Sequence, residues 1–349
     1  PAPPPAVKGA AASRRRYDRP IWQVTRVGQA RWAMLQQCSP AGPSQHMYRP
    51  IRTCALIGKF QDERVAECAQ TLVPALLARQ LTILAPADGQ QLSAGLAPGV
   101  PAGVSLVPPA ELIARSELVI AIGGDGTLLY AAGMVAEHGI PLLGINRGRL
   151  GFLTDVLPQD MVRSVNAVLA GECEADRRAL LQARLVSADG AQVHHFALND
   201  VVFNRLDTGR LLDFETRIDG RYVNSHGGDG LVVATATGST AYALSCGGPI
   251  VDPRLSVLVV APICPHTLSD RPIMIPADST IDIRLTGRHD TVAQVSCDAE
   301  VLGQLRPGGR LEITPSAHAI TLLHPPGYDY FRLLRSKLHW GLGGQAHER

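Results

Sequence analysis

Residues 119–133 read VIAIGGDGTLLYAAG: an apolar run, three glycines around one carboxylate, then a second apolar run. A strand that stops at glycines and restarts as a helix is the turn of a parallel sheet, whose carboxyl edge is where α/β proteins bind ligands. Glycine lets the backbone come close to a ligand, and a helix N-terminus attracts anions. Asp125 runs against that, because a carboxylate repels phosphate. It fits a group that takes a proton or holds Mg²⁺ beside a phosphoryl group. The plain structural alternative is a tight turn with Asp125 as a solvated cap. The stretch is not the dinucleotide fingerprint G-x-G-x-x-G, since Leu129 stands where the third glycine belongs. Thr127 is expected to cap the helix.

On either side the same alternation continues. IRTCALIG reads as a buried strand, DERVAECAQTLVPALLARQ as a helix with Val65, Cys68, Leu72 and Leu76 on one face, and LTILAP as a second strand. A Gly/Pro-rich loop is expected to run to about residue 108. ELVIAI is then the third strand and IPLLGIN the fourth. Strands alternating with helices predict a parallel, doubly wound α/β sheet over residues 48–150. After a helix near 158–170 the texture changes to short β segments separated by turns, which predicts a mostly β domain over 151–320. Its clearest hairpin is Ile218-Asp219-Gly220-Arg221, where Asp-Gly suits a type I′ turn. YDYFRLLRSKLHW predicts a helical segment within 321–349 that packs back on the first domain.

Hydrophobic residues make up 46% of the 349 and charged ones 18%, a globular balance with room for two cores. The net charge of +2 hides a split: residues 1–50 hold eight Lys/Arg against one acid, leaving 25 basic and 30 acidic residues beyond them. Residues 1–47, rich in Pro, Ala and Arg, are expected to be a disordered extension. A mildly acidic body argues against nucleic acid as a partner. The apolar runs are too short to cross a bilayer, which argues against a membrane. Seven scattered cysteines without zinc-ligand spacing fit reduced thiols in the cytoplasm.

Two further stretches carry chemistry. GDGLVVATATGSTAYALSCGGPIVDP, residues 228–253, crowds small hydroxylated residues around Gly238, the texture of a loop wrapping a polar ligand. Tyr242 offers an aromatic face to a base, and Asp229 sits between glycines as Asp125 does. ALND places Asn199 and Asp200 inside an otherwise apolar strand, where a buried amide and carboxylate need partners. A ligand's ribose or base edge would serve them, and so would a neighbouring turn.

GGDGT at 123–127, GINRGRLGFLTD at 144–155, LND at 198–200, DGLVVATATGSTAYALSCGGPI at 229–250 and PHTLSDRPI at 265–273 together resemble the NAD kinase family, in that family's order and over roughly residues 50–340. The resemblance implies an α/β domain, a β-rich domain and an NAD site between them. It implies transfer of the γ-phosphoryl of ATP, with Mg²⁺, to the 2′-hydroxyl of the adenosine ribose, yielding NADP, in a homodimer or homotetramer. It makes Asp125 the general base. Gly123, Gly124, Gly126 and Thr127 become its loop, with Asn146 nearby. Asn199 and Asp200 would bind the nucleoside part. Asp229 and Ala241 fall near the nicotinamide end, Thr240, Tyr242 and Ser245 in the adenosine loop, and Arg210 along the site. His266 is a further candidate, with a structural role as its alternative. Three departures stand out: Tyr130 where many relatives carry a basic residue, Ala236 where they carry Pro, and Gly227 where bacterial relatives commonly carry Arg. The missing side chain at Gly227 is expected to relax selection between NAD and NADH; the alternative is a glycine needed for φ > 0. A lipid kinase sharing the GGDGT loop and a non-catalytic NAD(H)-binding sensor are the rival readings.

Overall fold

Strand β1 (Thr53–Gly58) shows why the first half closes into layers: Cys54 and Leu56 enter one core, while Ala55 and Ile57 enter another. The computed structural model describes residues 50–87, 99–148, 150–206, 211–287 and 291–340. The extension expected at 1–47 and Arg210 lie outside them. After β1 come α1 (Glu63–Leu77), β2 (Thr82–Pro86), β3 (Val104–Val107), α2 (Pro109–Arg115), β4 (Leu118–Gly123), α3 (Asp125–Val135) and β5 (Leu142–Asn146). β4 repeats the alternation of β1, with Leu118, Ile120 and Ile122 on one face and Val119 and Ala121 on the other. A strand apolar on both faces belongs inside a parallel sheet covered by helices on each side. The strands run in the order β5-β4-β1-β2-β3, all parallel. Asp62 caps α1 by accepting from the Arg64 amide at 3.1 Å.

One expectation needs correction here. The stretch before residue 108 is not all loop, because β3 forms the sheet edge and makes ELVIAI the fourth strand. Four residues flanked by Gly103 and Pro108 are too few to show a period.

The second half runs through α4 (Met161–Leu169), β6 (Glu174–Val186), β7 (Gln192–Ala197), β8 (Asp200–Arg205), β9 (Leu212–Ile218), β10 (Arg221–Gly228) and β11 (Gly230–Thr235). It continues with α5 (Tyr242–Ser245), β12 (Val257–Ile263), β13 (Ile273–Pro276), β14 (Ile281–Leu285), β15 (Ala293–Cys297), β16 (Glu300–Leu305), β17 (Arg310–His324) and α6 (Tyr330–Leu338). Two antiparallel layers pack face to face. Leu181, Phe214, Ile283 and Leu311 of one layer meet Phe203, Leu231, Val260 and Val295 of the other. The β9–β10 hairpin turns at Asp219 and Gly220 with φ of 51° and 73°, the type I′ geometry expected from Asp-Gly.

The fold is therefore an α/β half followed by a mostly β half. The long strand β17 joins them: it pairs antiparallel with β6 and β14, then parallel with β5 through Leu322 and Leu142. The parallel sheet thus continues into one antiparallel layer of the second half. Helix α6 shares a cavity wall with α4, whose Met161, Val165 and Val168 belong to the α/β core. No helix among the described residues is long and apolar enough to cross a membrane.

Candidate functional site

β4 ends at Gly123 and α3 starts at Asp125, with Gly124 as the N-cap. Thr127 is not the cap, contrary to expectation. It is already inside the first turn, and its amide donates to the Gly124 carbonyl at 2.9 Å. Its hydroxyl covers Gly123 instead: a Cβ there would stand 2.2 Å from Thr127 Oγ1. Gly124 and Gly126 differ, since a Cβ on either would meet no atom within 4 Å. These two glycines face open space.

The Asp125 carboxylate turns to the segment 152–154. Oδ2 accepts the Phe152 amide at 2.8 Å. Oδ1 accepts the Leu153 amide at 3.0 Å, the Thr154 amide at 3.1 Å and the Thr154 hydroxyl at 3.0 Å. A carboxylate oxygen has two lone pairs, so the remaining acceptor capacity lies on Oδ2. Only glycine fits at 151, where a Cβ would lie 2.0 Å from Asp125 Oδ1. Asn146 belongs to the same knot: its Nδ2 donates to Thr154 Oγ1 at 2.8 Å and its Oδ1 accepts the Gly148 amide at 3.0 Å.

A cavity of ≈ 690 Å³ opens beside this turn, walled by Gly124, Gly126, Thr127, Leu129 and Tyr130, with Lys59, Arg147 and His195 as its basic residues. Arg147 also pairs with Asp62, and His195 with Glu300 at 3.1 Å. A second cavity of ≈ 460 Å³ is walled by Asn199, Asp200, Ala241 and Tyr242. Leu129, Asp298 and Ala299 border both, so the two are compartments of one cleft. A larger cavity of ≈ 830 Å³ lies between α4 and α6, away from the glycine turn. Size does not mark the site; the convergent polar groups do.

Asn199 and Asp200 were expected inside one strand. The strand breaks between β7 and β8 instead, because Asp298 takes its amides. Asp298 Oδ2 accepts from Leu198 at 2.6 Å, and Oδ1 accepts from Asn199 at 2.8 Å and Asp200 at 3.1 Å. The side-chain oxygen of Asn199 is buried without a partner among the described residues, a waiting acceptor for a ligand's N–H or O–H. Burial first, and the Asp298 charge second, push the Asp200 carboxyl up to about 7, against the amide of Tyr242 that it accepts. Burial raises Asp298 as well, but three amides favour its charged form. Asp200 therefore exchanges its proton close to neutral pH.

The TATGSTAY stretch forms a turn over Thr237–Thr240 and then α5. Gly238 is required, since a Cβ would lie 2.1 Å from the Asn199 carbonyl oxygen. Thr240 Oγ1 donates to the Thr237 carbonyl at 3.4 Å, Tyr242 is exposed toward the cleft, and Ser245 is exposed on α5. A different group gathers at the end of β10. Asp229 pairs with Arg205 at 2.9 Å, and the His266 amide donates to the Gly227 carbonyl at 2.7 Å. Gly227 does not have positive φ, and a Cβ there would meet nothing closer than 3.6 Å. The turn-forming alternative for this glycine therefore falls.

Sequence reasoning missed Asp298, Ala299, Lys59, His195 and the 152–154 amides. The signal available was SCDAEV, in which Asp298 and Ala299 form a two-residue hairpin turn with φ of 49° and 72°. Ala carries no turn signature, so nothing local marks the hairpin.

The ATP-NAD kinase N-terminal domain matches residues 55–173, and the ATP-NAD kinase C-terminal domain matches residues 198–324. The chain belongs to the NAD kinase family. It is 44% identical over 295 residues to the NAD kinase of Nitrosococcus oceani, covering 84% of this chain and 99% of that one. It is 40% identical over 294 residues to that of Aromatoleum aromaticum, covering 84% and 96%. In fold it resembles a yeast NADH kinase complexed with NADH, at TM-score 0.77 and 23% identity, over 86% of this chain and 90% of that one. It also resembles an NAD kinase from Archaeoglobus fulgidus in complex with ATP, at TM-score 0.63 and 24% identity, over 82% and 98%. NAD kinases are phosphotransferases, so this is an enzyme family.

Proposed function

We propose that this protein transfers the γ-phosphoryl group of ATP to the 2′-hydroxyl of the adenosine ribose of NAD, making NADP. The observation that carries the reading is the divided cleft. One compartment is walled by the glycine turn and carries Lys59 and Arg147; the other carries Asn199, Asp200 and the Tyr242 ring. The first suits phosphates, the second a nucleoside, and they share the Asp298–Ala299 wall. Mg²⁺ bound to the ATP phosphates would neutralise charge that develops on the transferred group; among the described residues no His, Cys, Asp or Glu cluster holds a metal by itself.

In this reading Asp125 accepts the ribose proton through the open side of Oδ2, and Gly124 and Gly126 let phosphate oxygens approach. Lys59 and Arg147 supply the countercharge that Tyr130 does not. Asn199 and Asp200 bind the nucleoside, with Thr240, Tyr242 and Ser245 around it. Asp229, Ala241 and Gly227 serve the nicotinamide side, with His266 beside Gly227. Cytoplasmic action as a homodimer or homotetramer completes the reading, supported by family membership and by six free thiols among the described residues. Incubating purified protein with NAD, ATP and Mg²⁺ should yield NADP; no NADP above a no-enzyme control overturns the reading.

NADH acceptance is favoured by one observation: Gly227 has neither left-handed backbone nor a neighbour that forbids a side chain. Its missing side chain leaves room that a bulkier residue would fill, and crowding is a direct way to reject a near-identical ligand. Gly227→Arg should lower kcat/KM for NADH more than for NAD. An unchanged ratio in a folded variant refutes it.

A further inference from the structure

Thr154 holds Asp125, and the next residue begins a chain of contacts that ends in the other compartment. Asp155 Oδ2 pairs with His324 Nδ1 at 2.8 Å, and His324 Nε2 stands 3.5 Å from Asp176 Oδ2. Arg178 donates to that same Asp176 oxygen through Nε at 2.8 Å and Nη2 at 2.6 Å. Its remaining arm, Nη1, donates to Thr237 Oγ1 at 3.2 Å. Thr237 opens the turn that leads to Thr240, Ala241 and Tyr242. The side chains of Arg178 and His324 are only 3% and 2% exposed, and Tyr328 stacks on the imidazole at 3.7 Å.

Burial alone would raise the Asp176 carboxyl, but the nearby His324 imidazole and the Arg178 hydrogen bonds outweigh it and hold it at about 2. Burial alone would lower His324, but Asp155 and Asp176 outweigh it and hold the imidazole above its ordinary value. Two carboxylates thus face a guanidinium and an imidazole whose charged form they favour. A buried ion pair is weak evidence for stability, since well-packed apolar residues do as well. It fixes geometry, because the guanidinium offers donors in a rigid fork. Here the fork has one side on the strand β6 and the other on the turn that borders the nucleoside compartment.

We propose that Arg178 is a positioning residue for dinucleotide binding: through Thr237 it sets the place of the Thr237–Tyr242 segment relative to the Asp125–Thr154 clasp. The proposal rests on the reaction proposed above. Its test uses Arg178→Lys, Thr237→Val and the double variant, measuring melting temperature, Kd for NAD, KM for NAD and for ATP, and kcat. Lysine keeps the charge beside Asp176 but has no fork to reach Thr237 as well. Each single variant should stay folded and raise both Kd and KM for NAD about tenfold, the value of one hydrogen bond to a charged group. The KM for ATP and kcat should stay within about twofold. The double variant should be no worse than the worse single one, because both remove one contact. Unchanged Kd and KM in folded Thr237→Val overturns the proposal even if Arg178→Lys does not fold, and so does an additive double variant. If wild type binds NAD but forms no NADP, the reaction is refuted while Kd still decides the role of Arg178.

Discussion

Asp125 and Asp298 do the same thing in different surroundings. Each carboxylate gathers three successive backbone amides of a distant segment: Phe152 to Thr154 for Asp125, Leu198 to Asp200 for Asp298. Asp125 stands in the first turn of α3 among glycines, where the helix dipole favours its charge. Asp298 stands in a hairpin turn with Ala299 in the left-handed region, beside a second carboxylate, Asp200. One clasp is built without backbone strain and borders the glycine turn. The other accepts strain to organise the 198–200 segment. Side chains of the same type thus make the same local pattern in surroundings of different charge and strain.

The largest expected difference is catalytic. Asp125→Asn should lower kcat by about 10²- to 10⁴-fold, because an amide cannot take the ribose proton. NAD binding should persist, since the amide oxygen can keep the three donors on Oδ1. Near-normal turnover in that variant would remove Asp125 from the chemistry and leave two purely structural clasps.

Asp298→Asn should show the reverse emphasis. Losing the Leu198 contact and the charge that favours the other amides should cost about 2 kcal/mol of stability. Chemical denaturation reads this directly, and a variant as stable as wild type would show that the 198–200 segment keeps its place unaided.

The neighbour of Asp298 gives the comparison a pH dependence. Asp200 titrates at about 7 when folded and at the ordinary carboxylate value when unfolded. Between pH about 4 and about 7 the folded state therefore holds more protons than the unfolded state. Stability falls across that window and levels off above it. The loss should be on the order of 3 kcal/mol and much smaller in Asp200→Asn, as measured by denaturation at pH 4.5 and pH 8. Equal slopes in the two proteins would dismiss the shared-site account.

The smallest effect tests the strain. Ala299→Gly should stabilise the protein by about 0.5 kcal/mol, since relief of the left-handed alanine is partly offset by a freer unfolded chain. A fall in melting temperature would mean that the alanine methyl packs usefully against the cleft.

These two clasps also show what was legible beforehand. GGDGT announces a βα turn because glycines interrupt an apolar run there. The Asp219-Gly220 hairpin was equally plain, since glycine readily takes the second left-handed position of a type I′ turn. The Asp298-Ala299 hairpin has the same backbone without the glycine, so nothing local marked it, and its partner segment ALND read as unbroken. Arg178 looked like any arginine at the start of a β segment, with nothing local to say that it would be buried.

The sequence by itself determined the alternation of the α/β half, the change to β segments after residue 170, the glycine turn and the family. Those follow from periods of two and 3.6 residues and from glycine spacing, which are properties of adjacent positions. Only the tertiary structure decided that β17 would weld the two halves, that Asp125 would clasp residues 27 to 29 positions away, and that Asp155, His324, Asp176, Arg178 and Thr237 would meet. A buried charge needs a partner, but the need does not say which residue answers it. That choice is made by packing, where side chains far apart in the chain become each other's solvent.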